Sequence, residues 1–231
     1  MQQYDTNSLS EQIAQQIAEQ IINGELVEGE RIQEMRFAQE LDVSRGSMRE
    51  ALLLLERTHL IAIYPHRGAV VSEMSAHQIE ALFDMTGLLL GQVVQRITDV
   101  LSANDVKHLK YLLEQLSEAC YLGHEERFYD LIFQDFLKQQ DNVNNLYLMK
   151  YYRELLPSLR RSYFLTLNTS KRELQESLEL FKLVVTAIVS RNSQQAAKNM
   201  ENFCRHLRDL VLESLTRMKQ IELAWARRSR R

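Results

Sequence analysis

The chain has 231 residues, 45% of them apolar and 26% charged, which argues against intrinsic disorder and fibrous repeats. Seven glycines and two prolines are too few to punctuate many short strands, so the composition predicts a mainly helical protein. The formal net charge of -3 offers no overall basic excess for nucleic acid, and residues 1–74, with six arginines, no lysine and twelve acidic residues, net -6, offer less. A DNA-binding role would therefore need a local patch, because counterion release depends on which cations meet phosphates.

Cys120 and Cys204 lie in no CxxC or Cys/His spacing, which argues against a disulfide framework and a zinc ribbon and fits a reducing cytoplasm. The N-terminus lacks a basic region followed by an apolar stretch, and no window approaches the roughly 18 apolar residues of a membrane span. The expectation is a cytoplasmic protein without membrane contact.

In chain order, Leu9, Ile13, Ile17 and Ile21 recur every fourth residue behind Ser8 and Glu11, predicting a helix with a capping box that ends near Asn23 and Gly24. A second amphipathic stretch covers residues 35–41, and after a short turn Ser44 caps a third helix from Arg45 to about Thr58. Arg45 and Arg49 lie one turn apart on a face other than that of Met48, Leu52 and Leu55. The period then changes: residues 60–64 and 69–71 are β-prone runs joined by Pro65, His66, Arg67 and Gly68, a β-hairpin. This order is the layout of a winged helix-turn-helix over residues 1–74, whose third helix enters the major groove of DNA.

Residues 75–220 read as a second, all-α domain of six helices at about 76–101, 104–121, 125–140, 144–166, 174–191 and 193–220, with breaks short enough for antiparallel neighbours. Residues 221–231 read as a basic tail. The chain has no nucleophile and base at catalytic spacing, no phosphate-binding glycine loop and no HExxH, so an enzyme is not expected.

The run Val43-Ser44-Arg45-Gly46-Ser47-Met48-Arg49-Glu50-Ala51-Leu52, with Leu55-Glu56, His59-Leu60-Ile61 and Gly68, resembles the signature of GntR-family transcriptional regulators. The later domain is similar in length and break positions to the FCD effector domain of the FadR and VanR branches. Gly46 and Ser47 stand where Thr-Pro is common, and Phe37 where an aliphatic residue is. The resemblance implies a homodimer on a near-palindromic operator. Arg45 and Arg49 would reach guanine edges, Ser44 and Ser47 phosphates, and His66, Arg67 and Gly68 would form a wing tip probing the minor groove. The competing reading of the two arginines is a solvated helix face.

FCD domains typically hold a metal through an Asp-x-x-x-His pair and two further histidines, and grip a carboxylate with an arginine on their first helix. Here Asp130 keeps the first position, but Gln134, Phe181 and Phe203 stand at the histidine positions and Thr86 at the arginine position. That set implies no zinc or nickel and no other cofactor, with His206 a displaced ligand only if the helix is aligned differently. Phe133, Phe181 and Phe203 would converge with Leu88, Val184 and Met200 on an apolar lining suited to an acyl chain, or they would fill the bundle. Arg153, Arg161 and Tyr163 would meet a head group, and short matches around Asp130 and Arg161 resemble the acyl-CoA-responsive FadR branch. The expected function is a repressor released by a fatty acid or acyl-CoA. The alternatives are a regulator answering to a small organic acid, or a helical protein whose winged module makes protein contacts.

Overall fold

The computed structural model describes residues 8–136, 143, 145–164 and 170–228. Its contacts divide them into two compact units: residues 1–74 with the stretch Glu154–Arg161, and residues 75–153 with 162–231, each as far as it is described. Among the described residues no helix is long and apolar enough to cross a membrane.

Unit 1 opens with α1 (Leu9–Ile22), where Ser8 accepts from the Glu11 N–H while Glu11 accepts from the Ser8 N–H. Helix α2 (Glu34–Glu40) and helix α3 (Arg45–Arg57) follow, joined by a tight turn in which Asp42 takes a positive φ of 51°. Strands β1 (Ile61–Tyr64) and β2 (Gly68–Val71) pair antiparallel, Ile61 opposite Val71 and Tyr64 opposite Gly68. The backbone of residues 29–32 lies along the free edge of β2: Gly29 donates to Val71, Val71 to Glu30 and Ile32 to Ala69. Ile13, Ile17 and Ile21 of α1, Met48, Leu52 and Leu55 of α3, and Ile32, Leu60, Ile61 and Val71 form one buried cluster. Burying such side chains contributes roughly 1.5 to 3 kcal/mol each.

Unit 2 is helical. Helix α4 (Ala76–Asp99) buries Ile79, Phe83, Leu90, Val94 and Ile97, a three-and-four spacing that places one stripe inward. Helix α5 (Ala103–Leu122) ends on Gly123, whose φ of 73° is the left-handed C-terminal stop glycine tolerates best. Helix α6 (Glu125–Asp130) passes into a π-helical turn, Leu131–Asp135, where a single helix over 125–140 was expected. One extra residue per turn re-aims the side chains that follow, which periodicity read from sequence does not register.

Helix α7 (Leu146–Phe164) contains Pro157, which cannot donate a backbone hydrogen bond; its residues 146–153 and 162–164 belong to unit 2. Helix α8 (Lys171–Val189) and helix α9 (Ser193–Arg228) complete the unit, α9 packing along α4 and α8. Gly87 and Gly91 of α4 permit the close approach: a β-carbon at Gly91 would lie 3.2 Å from a Glu201 carboxylate oxygen. Helix α9 runs eight residues past the expected end at Gln220, through a stretch with neither glycine nor proline. The remaining residues of the expected tail, 229–231, like the breaks at 141–142 and 168–169, fall outside the described residues.

Candidate nucleic-acid interface and effector site

Ser44 caps α3, its hydroxyl accepting from the Ser47 N–H at 3.0 Å and lying 2.9 Å from the Ser47 hydroxyl. The cap fixes where α3 begins and so brings Arg45 and Arg49 onto one exposed face, while Met48 and Leu52 point into the core. Among the described residues Arg45 has no ion pair. The Arg49 side chain, 77% exposed, has Glu34 at 3.8 Å, a long and weakly held contact. Between the strands, Arg67 N–H donates to the Tyr64 carbonyl across a turn with Pro65 at its second position and His66 at its third. The φ of 62° at His66 gives that turn type II character and holds the imidazole at the exposed tip. Arg67 lies 5.9 Å from the Tyr64 ring centroid, and Gly68, at φ 79°, returns the chain into β2. Glu56 of α3 accepts from the Ile63 N–H, tying the helix to the hairpin.

In unit 2 the π-helical turn brings Phe133 into a fully buried aromatic cluster. Its ring stacks on Tyr163 with centroids 5.7 Å apart, and Phe203 lies 6.4 Å from it. Phe181 meets Phe203 edge-on at 5.4 Å and Phe136 at 5.8 Å. Val184 and Met200 are buried as expected, but Leu88 is 60% exposed, which corrects its place in the lining. The buried stripe of α4 takes positions 83, 86, 87 and 90, and residue 88 falls on the other side.

The polar groups of the expected site largely satisfy one another. Asp130, half-buried, accepts from the Tyr163 hydroxyl and from the Gln134 amide, each at 2.5 Å. Tyr152, which the sequence reading missed, donates to the Phe133 carbonyl at 2.7 Å, satisfying an acceptor on the π-helical turn. Thr86 is buried and donates to the Leu82 carbonyl of its own helix. The donor set does not fit a transition metal. Asp130 stands beside an amide and phenyl rings, and among the described residues no three His, Cys, Asp or Glu side chains converge. His206 instead lies 3.0 Å from Ser177 on α8.

Of the two arginines expected at a head group, only Arg161 is engaged elsewhere. Arg153 is exposed on α7. Arg161 belongs to unit 1, where its guanidinium donates to the Ser72 carbonyl at 2.8 Å and pairs with Glu28 at 3.4 Å. Burial lowers its pKa and Glu28 opposes that shift. This corrects its assignment to a pocket mouth, and the reason is that a carboxylate and a carbonyl of its own unit hold the buried guanidinium. Nearby, Arg160 pairs with Glu19 at 2.6 Å and Ser158 donates to the Thr58 carbonyl.

Residues 9–71 match the bacterial regulatory proteins of the gntR family, and residues 80–208 match the FCD domain. The chain is 23% identical to the HTH-type transcriptional regulator YdhC of Bacillus subtilis, over 87% of this chain and 92% of that one. It is 26% identical to the transcriptional regulator McbR of Escherichia coli, over 86% and 87%, and 24% identical to the gluconate operon transcriptional repressor of Bacillus subtilis, over 87% and 85%. The solved structure of Escherichia coli McbR/YncC superposes with a TM-score of 0.75 at 20% identity, over 91% of this chain and all of that one. A helix-turn-helix with a wing, followed by a helical domain of FCD type, both matched by sequence and by fold, place this chain in the GntR family of transcriptional regulators with an FCD effector domain.

Proposed function

We propose that the protein is a repressor that binds a near-palindromic operator as a homodimer in the cytoplasm, and that a largely apolar effector binding unit 2 releases it. The observation that carries the DNA-binding half is the exposed pair Arg45 and Arg49 on a helix whose first turn is fixed by Ser44, beside a wing tip of His66, Arg67 and Gly68. Arginine one turn apart on such a helix can take the O6 and N7 of guanine, and a single α3 reads only a few base pairs, so specificity calls for two half-sites. The gluconate operon relative, a repressor by its name, supports the sign of regulation.

For the effector, the supporting observation is the ring cluster of Phe133, Phe181 and Phe203, where the polar members Asp130, Gln134 and Tyr163 already have partners. That lining favours contact area over charge, which suits a fatty acid or acyl-CoA better than a small organic acid. An effector shifts the DNA equilibrium only if it binds the two dimer states unequally. The test is fluorescence anisotropy on a duplex selected by the protein from a random pool, titrated with fatty acids and acyl-CoAs of rising chain length against small organic acids. Release that grows with chain length supports the proposal. Release by a short acid alone, or by none, overturns the effector half, and failure to select any sequence overturns the DNA-binding half.

A further inference from the structure

The net negative charge of unit 1 makes any phosphate-binding cation outside α3 and the wing consequential, and one stands apart. Arg31 lies on the backbone segment that runs along β2, bridged to Val70. Its guanidinium reaches across the wing, with Nε and Nη2 each 3.6 Å from where a β-carbon on Gly68 would sit. Arg31 is exposed, and among the described residues it has no ion pair or side-chain hydrogen bond, whereas Arg36 is held by Glu40 at 2.7 Å.

Arg31 forms one wall of an open cleft of about 510 Å³ that runs from Gly68 past Gln33, Glu34 and Met35. Glu34 of the cleft wall also lies 3.8 Å from Arg49 of α3. With α3 in the major groove and the wing in the adjacent minor groove, the sugar-phosphate strand that divides the two grooves has to pass between Arg49 and Gly68. That path is this cleft.

We propose that the cleft seats a backbone phosphate of the DNA and that Arg31 is its ligand. The inference rests on unit 1 being the DNA-binding unit. The phosphate contact carries no sequence information; it sets how the wing and α3 straddle the strand. Glu34 also lines the cleft and repels the strand, with Arg49 at 3.8 Å; Arg36 is held by Glu40, which leaves Arg31 as the lining cation that has no ion pair among the described residues.

The test is the salt dependence of binding to a duplex selected by the wild-type chain and to an unselected one, for Arg31→Ala, Arg31→Lys and, as a control of equal charge change in unit 2, Arg172→Ala. Loss of one phosphate contact per protomer, two per dimer, lowers the slope of log K against log salt by about 2 and weakens both duplexes alike. Arg31→Ala is expected to show this, with Arg31→Lys retaining the slope, Arg172→Ala unchanged and the thermal midpoint of Arg31→Ala unmoved. A wild-type protein that binds tightly while Arg31→Ala keeps its slope overturns the assignment and leaves the DNA-binding reading standing. Loss confined to the selected duplex reassigns Arg31 to base readout and also overturns it. A wild-type protein that binds neither duplex overturns the DNA-binding reading itself.

Discussion

The Tyr163 hydroxyl donates to Asp130 at 2.5 Å from a ring that stacks on Phe133, so one side chain closes a polar contact and an aromatic one at the same point of unit 2. Tyr163→Phe keeps the stacking and deletes the hydrogen bond. The expected cost is about 1 kcal/mol, read by chemical denaturation, against about 1 to 3 kcal/mol for Asp130→Ala, which removes the acceptor of both Tyr163 and Gln134.

Phe181→Ala and Phe203→Ala delete fully buried rings that touch each other, and each is expected to destabilise the protein by about 3 to 5 kcal/mol. The pair in combination should cost less than the sum, since the first deletion already removes their mutual contact. If these variants lose stability and keep their ligand response, the cluster is a core and the effector binds elsewhere.

Arg45→Ala and Arg49→Ala are each expected to relax specificity at one base pair of each half-site, by about 1 to 3 kcal/mol of discrimination. Binding to a set of single-base operator variants measures this. A uniform loss over all sequences would assign the side chain to phosphate.

His66 holds a left-handed φ that glycine adopts without strain. His66→Gly is expected to stabilise unit 1 by at most about 1 kcal/mol, because glycine also adds entropy to the unfolded chain. The same change should weaken DNA binding, so thermal midpoint and affinity should move in opposite directions.

Burial lowers the pKa of His206, while Glu173, Glu176, Asp209 and Glu213 oppose the shift. A histidine with a lowered pKa in the folded state contributes stability that is present above its unfolded pKa of about 6.5 and is lost as pH falls through the lower folded value. The midpoint of unfolding is expected to drop below pH 6.5 by less in His206→Gln than in the wild type.

The sequence made much of unit 1 readable because its determinants are local: Ser8 with Glu11, Ser44 with Ser47, and the period change at Leu60 each act within a few residues. Arg31 was not readable in that way, since its role depends on a backbone segment pairing with β2 some forty residues later. In unit 2 the helical spans were legible. The π-helical turn, the acceptor given to Tyr152 and the outward turn of Leu88 were not, because each depends on phase within a helix rather than on residue type. Arg161 was misplaced for a related reason: a guanidinium near the end of an amphipathic helix carries no mark of which carboxylate will claim it.

Four helices, α1, α4, α5 and α8, begin with the same reciprocal device, a serine paired with the Glu, Gln or Asp three residues on. Each start is thus written in a four-residue word that does not consult the interior. An interior flanked by helix origins set from outside is free to exchange its chemistry, an imidazole for a phenyl ring, while those four helices keep their starting points. In such a scaffold the chemistry of the interior can change without moving the helix starts that the four serines set.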